Sequence, residues 1–407
     1  MSEAAAVVTG LGVAAPNGLG TKAYWAATLA GTTGIARIAR FDPSPYPVQL
    51  AGEVDEFVPE EHLESRLLPQ TDHMTRLALA AADWALADAG LDPASFPEYE
   101  MGVVTANASG GFEFGQRELE KLWSKGSRFV SAYQSFAWFY AVNTGQISIR
   151  HGMRGPCGVL VTEQAGGLDA VAEARRHVRR GTRMVLTGGM DASLCPWGLV
   201  PQITSGRLSS SHDPSLAYRP FDQGANGYVP GEGGAILVLE DAASARTRGA
   251  PNIYGEVAGY AATFDPKPGT DREPGLRRAA ELAIADAGVA PDRIDVVFAD
   301  ASGVSELDRV EAKAITDLFG SHRVPVTAPK TMTGRLYAGG APVDLAAALL
   351  SIRDGVIPPT INVAQTSPDY QIDLVMREPR EWPVEHALVL ARGLGGFNSA
   401  MVLRKVR

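Results

Sequence analysis

The sequence predicts an α/β fold of two similar halves, with helices held between sheets in a five-layer α-β-α-β-α arrangement. Two internal similarities and one compositional trait point to it. Residues 75–90 read as a helix closed by Gly90, followed by Leu91-Asp92-Pro93, a strand at 101–105 and the turn Ala106-Asn107-Ala108-Ser109-Gly110. The order returns later as a helix at 276–287, Gly288, Val289-Ala290-Pro291, a strand at 294–298 and Ala299-Asp300-Ala301-Ser302-Gly303. A second pair of helices, at 168–180 and 344–354, is closed by Gly181 and Gly355, and each continues into an apolar stretch. A repeat of such long period describes a duplicated α/β unit and not a solenoid of short repeats. The helices are also rich in Ala and Gly, which gives little amphipathic contrast and permits close backbone approach, so they belong between sheets.

From the N-terminus, the apolar run 4–16 lacks a basic flank and contains Thr9-Gly10, which fits a first buried strand better than a signal peptide. Residues 109–123 make a turn and then a helix on which Phe112, Gly115 and Leu119 share one face at spacing i, i+3, i+7. Tyr133, Phe136, Trp138, Phe139 and Tyr140 follow as an aromatic cluster, expected to fill core and interface. A strand at 235–240 ends the first half. The break at 246–252 divides the chain into an N-terminal half, 1–248, and a C-terminal half, 252–407.

The totals narrow the function classes. With 407 residues, 45% hydrophobic and 20% charged, the chain has material for two core domains. The net charge of −9 is spread without long runs and gives no electrostatic footprint for nucleic acid or an anionic membrane. Apolar stretches such as Ala346-Ala347-Ala348-Leu349-Leu350 fall far short of the roughly 20 residues that span a bilayer. Two cysteines, Cys157 and Cys195, are too few for a disulfide framework or metal knuckle and suit a reducing cytoplasm; both are expected as small buried hydrophobes. The seven histidines show no ligand spacing, and no metal is expected.

The most informative segment is Val161-Thr162-Glu163-Gln164-Ala165-Gly166-Gly167, which passes from a strand-like stretch into a small-residue helix. Enzymes use such an elbow to push a nucleophile out of the backbone at a helix N-terminus. There the dipole lowers a thiol's pKa and nearby N–H groups can receive an oxyanion. The amide of Gln164 serves neither purpose, so the scaffold of an acyl-transfer site is present without its reactive atom.

The chain resembles the thiolase-like ketosynthases of polyketide and fatty-acid synthesis along almost its whole length. The likeness rests on Val8-Thr9-Gly10-Leu11-Gly12-Val13, Phe41-Asp42, Arg219-Pro220-Phe221-Asp222, Gly231-Glu232-Gly233-Gly234-Ala235 and Gly393-Leu394-Gly395-Gly396-Phe397-Asn398-Ser399, in this order and spacing. The resemblance implies a thiolase fold working as a dimer. An active member uses an elbow cysteine to carry the acyl chain and two histidines to handle the malonyl unit. Here the cysteine position falls on Gln164, the first histidine on Asp300 and the second on Arg335, while Lys330, Asp308 and Glu311 remain. Neither Asp300 nor Arg335 supplies a neutral imidazole. The combination looks like the chain-length factor, the partner subunit of the ketosynthase in bacterial aromatic type II polyketide synthases.

That resemblance implies a noncatalytic subunit that pairs with a ketosynthase, completes a tunnel across the interface and sets polyketide length. It needs no bound cofactor and meets the acyl carrier protein mainly through its partner. Phe112, Gly115 and Leu119 would line the tunnel, with Gly115 leaving a gap that admits a relatively long polyketide, and with Phe136 and Trp197 placed near it by resemblance alone; packing is the alternative role for this face. Gln164 is either a plug whose amide hydrogen-bonds the vacated oxyanion pocket, or a donor that stabilises the enolate formed when a malonyl-carrier protein loses carbon dioxide. The second reading makes the chain a priming decarboxylase, and a third makes it a purely structural partner. Asp300 and Arg335 either form a buried salt bridge or reach separate polar neighbours.

Overall fold

The computed structural model describes residues 5–267 and 269–406. Strand β1, Ala6–Ala15, is buried at every position, as the apolar run requires. Ala4, where that strand was expected to open, lies outside the described residues. Helix α1, His73–Asp88, starts at Asp72, whose carboxylate caps the Met74 N–H at 2.9 Å, and ends at Gly90, which takes the left-handed φ of 62°. Strand β2 covers Met101–Ala106, helix α2 Phe112–Lys125, strand β3 Cys157–Leu160 and helix α3 Gly166–Arg179. Strand β4, Met184–Asp191, helix α4, Pro196–Thr204, and strand β5, Gly233–Asp241, follow.

The second set of elements opens with β6, Gly255–Phe264, and α5, Leu276–Asp286. It continues through β7, Val296–Phe298, α6, Ser305–Phe319, β8, Pro325–Thr327, and α7, Gly340–Asp354. It closes with β9, Asp373–Leu374, β10, His386–Gly393, and β11, Phe397–Arg404. The strand expected from Ile294 begins two residues later, because Pro291–Arg293 forms a 3-10 turn first.

The strands order as β9-β8-β7-β10-β11-β6-β1-β5-β4-β2-β3, with the short strand Gly18–Leu19 paired to β1. The two runs of strands join only where β1 meets β6, at Val7↔Glu256 and Val8↔Gly255. Helices α3 and α7 lie between them. Leu168 and Val171 of α3, and Leu345 and Leu349 of α7, share one core with Val185 and Leu237 of the first run and Val389 and Leu403 of the second. Helix α1 packs on the outer face of the first run and α5 on that of the second, each with its own core. The five layers are those expected, but α3 and α7 alone of the four small-residue helices lie between the sheets, while α1 and α5, expected there too, cover the outer faces.

Glycine sets the outer packing in both runs. A Cβ on Gly12 of β1 would stand 1.9 Å from the Ala81 carbonyl oxygen of α1, and one on Gly259 of β6 would stand 2.1 Å from that of Ala283 in α5. The helix backbones rest directly on the strands.

The expectation for the cysteines is half corrected. Cys195 is buried, but Cys157 is exposed because it opens β3, the edge strand of the sheet. Among the described residues no helix is long and apolar enough to cross a membrane.

Candidate functional site

Strand β3 delivers the chain to the elbow at its C-terminal end, and the 3-10 turn Glu163–Ala165 leads into α3. Gln164 is 1% exposed, and its amide packs against the start of α7, where a Cβ on Gly340 would stand 2.7 Å from Nε2. Its Oε1 is buried without a hydrogen-bond partner among the described residues. This departs from the expected plug, whose amide was to fill the vacated pocket with hydrogen bonds. The group that does so is the neighbour. Glu163 takes a left-handed φ of 53°, uncommon for a residue with a side chain, and its carboxylate accepts the Leu394 N–H at 2.8 Å and lies beside the Gln164 N–H. Burial raises the Glu163 carboxyl above its ordinary value, against the opposing pull of Arg335 and these two donors.

Leu394 reaches the elbow because β10 and β11 form a hairpin in register from His386↔Arg404 to Gly393↔Phe397. Its tip uses Gly395 and Gly396 at φ of 97° and 101°.

Asp300 and Arg335 meet as a forked pair. Arg335 Nη1 donates to Oδ2 and Nη2 to Oδ1, both at 3.1 Å, with the residues 1% and 4% exposed. The pair is well satisfied. Arg335 also donates to the carbonyls of Asp300 and Arg392 at 3.0 and 3.1 Å and lies over the Tyr228 ring at 5.2 Å, while Asp300 accepts the Arg392 N–H at 2.9 Å. Burial alone would push the Asp300 carboxyl up, but the charges of Arg335 and Lys330 reverse this and hold it below its ordinary value. Of the two readings of these positions, the geometry is that of the salt bridge.

Behind the pair, Glu311 accepts the N–H groups of Asp300 and Ala301 at 2.7 and 2.8 Å. Asp308 accepts the Phe221 N–H at 2.9 Å and the Ser302 hydroxyl and Gly303 N–H at 3.0 Å. Lys330 Nζ donates to the Ala299 and Asp300 carbonyls at 2.6 and 3.1 Å and pairs with Asp344 at 2.7 Å. Burial pushes Asp308 up to about 6, and burial with the Asp300 charge pushes Glu311 up to about 7. These side chains are spent on holding the loops, and Ala301 keeps a left-handed φ of 49° within that grip.

A cavity of about 360 Å³ opens over the elbow, with Glu163, Asp300, Arg335, Tyr337 and Arg392 among its lining. No cysteine or histidine lines it. It offers hydrogen bonds, hydroxyls and fixed charges but neither a thiolate nor an imidazole to activate a hydroxyl. Gln164 is not in its wall. Among the described residues no cluster of His, Cys, Asp or Glu could hold a metal ion.

Phe112 joins this cavity to the helix face expected to line a tunnel. Its ring stacks on Trp197 of α4 at 4.7 Å and 19°. Gly115 lies under the same indole, where a Cβ would stand 2.9 Å from Trp197 Cζ3. The gap left by Gly115 is therefore filled by Trp197 and is not open, which corrects the expectation of free space. Leu119 continues the face two turns from Phe112 and is half-buried. Phe136 stands apart, packed against the core around α1 and edge-on to Tyr133 at 5.8 Å. The other aromatics of its cluster are not core within this chain: Tyr133, Trp138, Phe139 and Tyr140 are 38–43% exposed and form an apolar surface.

Sequence reasoning missed Glu163, Tyr228, Tyr337 and Arg392 as site residues. Glu163 sits beside Gln164, but only its backbone twist turns the carboxylate toward Leu394. The others come from segments far apart in the chain, Arg392 from the end of β10 and Tyr337 from a 3-10 turn.

Two family models match, those of the beta-ketoacyl synthase N-terminal domain over residues 4–245 and C-terminal domain over residues 254–364. The chain is 64% identical over 405 residues to the tetracenomycin polyketide synthase ketoacyl synthase beta subunit of Streptomyces glaucescens, covering 99% of each. It is 61% identical over 399 residues to the actinorhodin polyketide putative beta-ketoacyl synthase 2 of Streptomyces coelicolor, covering 98% of each. Among solved structures, the ishigamide ketosynthase/chain length factor superposes with a TM-score of 0.92 at 29% identity over 100% of both chains. A type II polyketide synthase acyl-carrier protein in complex with its ketosynthase bound to the hexaketide superposes with 0.90 at 28%, again over 100% of both.

Proposed function

We propose, for a chain that belongs to the beta-ketoacyl synthase family and within it to the chain-length factors of bacterial type II polyketide synthases, that it is the noncatalytic partner of an active ketosynthase. One observation carries the reading: Asp308, Glu311 and Lys330 still hold the loops behind the elbow, yet the cavity over it is lined by no cysteine or histidine. The partner supplies the nucleophile. This chain completes the tunnel between the subunits, and the Phe112, Gly115, Leu119 face with Trp197 limits the length of the growing polyketide. The exposed aromatics at 133–140 and the open edge of β3 supply the apolar, strand-bearing surface that a large partner interface needs. The acyl carrier protein engages mainly through the partner, as the solved complex of such a carrier with its ketosynthase suggests. We place the complex in the cytoplasm, with no resident cofactor in this chain.

Priming by decarboxylation through Gln164 has less support, because that amide is 1% exposed and outside the cavity wall. Product profiling of a reconstituted synthase tests the proposal. Leu119→Phe in a chain that still co-purifies one-to-one with its ketosynthase gives shorter polyketides, and an unchanged product at normal complex yield leaves only a structural role.

A further inference from the structure

The elbow retains the groups that would receive an oxyanion, and something already occupies them. The Leu394 N–H at the tip of the β10–β11 hairpin donates to the carboxylate of Glu163 at 2.8 Å, and the Gln164 N–H at the head of α3 lies beside the same group. Convergent backbone donors of this kind are the means by which acyl-transfer sites stabilise the tetrahedral intermediate of a thioester. A resident carboxylate takes up the Leu394 donor and sets a negative charge beside the Gln164 N–H. It also lines the cavity, as Leu394 does, so an entering ligand meets it there.

We propose that Glu163 is an internal lock on this site: its carboxylate fills the oxyanion-receiving donors, so that an acyl thioester reaching the cavity finds no place for its carbonyl oxygen. The inference rests on the reading of the elbow as a retired acyl-transfer site. It assigns the loss of reactivity to two residues, since Gln164 removes the nucleophile and Glu163 closes the receptor. The unusual backbone at Glu163 fits this role. A φ of 53° is strained for a residue with a side chain, and the conformation is the one that carries the carboxylate to the hairpin tip.

The test supplies the missing thiol and then removes the lock. Gln164→Cys and Glu163→Ala/Gln164→Cys chains, each co-purified with the ketosynthase, are treated with a butyryl N-acetylcysteamine thioester, and acylation of the peptide containing position 164 is followed by mass spectrometry. In the reaction the introduced sulfur forms a bond to the thioester carbonyl carbon. The tetrahedral oxyanion collapses with loss of the original C–S bond, and the departing thiolate takes up the proton that the attacking thiol released. Losing one oxyanion-hole donor costs an enzyme roughly 10²–10³ in rate, so freeing these donors raises acylation of the double variant at least about tenfold over Gln164→Cys. Equal acylation, or none in either, overturns the proposal.

A second measurement needs no added thiol. Glu163→Ala in the otherwise natural complex removes the acceptor of the Leu394 N–H, and hydrogen exchange across 393–396 becomes faster. Unchanged exchange there overturns the proposal too. The chain-length reading fails on different data, namely the products of Leu119→Phe, so either idea can fall while the other stands.

Discussion

Arg335→Leu is the most exacting perturbation of this site. It removes two hydrogen bonds of 3.1 Å to the Asp300 carboxylate and leaves that group 1% exposed with the Arg392 N–H at 2.9 Å as its remaining hydrogen-bond donor. Stripping one partner from a buried ion pair costs about 3–5 kcal/mol, while replacing both with neutral groups of similar volume is often close to neutral. Asp300→Asn/Arg335→Met should therefore be more stable than Arg335→Leu. The pH dependence separates this mechanism from simple loss of packing. In the natural chain Asp300 lies below its ordinary value, so its stabilising contribution is complete above the unfolded carboxylate value and is lost only as pH falls through the lower, folded one. Without Arg335, burial dominates and the folded value rises above the unfolded one. The cost of the mutation then grows as pH increases through that window and shrinks in acid. Urea unfolding of the co-purified complexes at intervals from about pH 5 to about pH 8 checks this, with the gap between natural and Arg335→Leu complexes widest at the upper end. A gap that does not change with pH, or a neutral double variant as weak as the single one, would refute the account of a charge stranded by its partner's removal.

Gly115→Thr drives a side chain into the 2.9 Å approach to Trp197 Cζ3, at a cost of about 1–3 kcal/mol, and disturbs the Phe112–Trp197 stack. Shorter products from a complex of normal yield are expected, and their length is read by mass spectrometry. Gln164→Cys in the isolated chain will not catalyse condensation, because Asp300 and Arg335 still hold the histidine positions in their salt bridge; condensation assayed without the ketosynthase checks this. Phe139→Asp places a charge in the exposed aromatic surface and should abolish co-purification with the ketosynthase, whereas Asp at exposed Tyr99, outside that cluster, should not; pull-down yield measures the difference.

The sequence by itself determined the layered α/β plan and the lack of a cysteine or histidine at the elbow and its two facing loops. Long-period similarity between 75–110 and 276–303 is visible because each half repeats the same helix–strand–turn order. The burial of α7 is visible too, because an Ala-rich helix with few polar positions has no other place to go. Gln164, Asp300 and Arg335 could be named because the resemblance to ketosynthases marks the reactive positions, and the loss of a reactive atom there is a property of residue type that needs no coordinates. Tertiary structure alone decided what those residues touch. The choice between a salt bridge and separate partners for Asp300 and Arg335 depended on bringing loops 35 residues apart to within 3.1 Å. The gap at Gly115 proved filled because α4, more than 80 residues on, lays Trp197 across it. Cys157 is exposed because β3 ends the sheet, and strand order is set by the packing of the whole chain. The carboxylate that closes the elbow was hidden for the same reason. Glu163 acts through a left-handed backbone and a donor 231 residues away, and neither a local conformation of that kind nor so distant a contact is encoded in residue spacing.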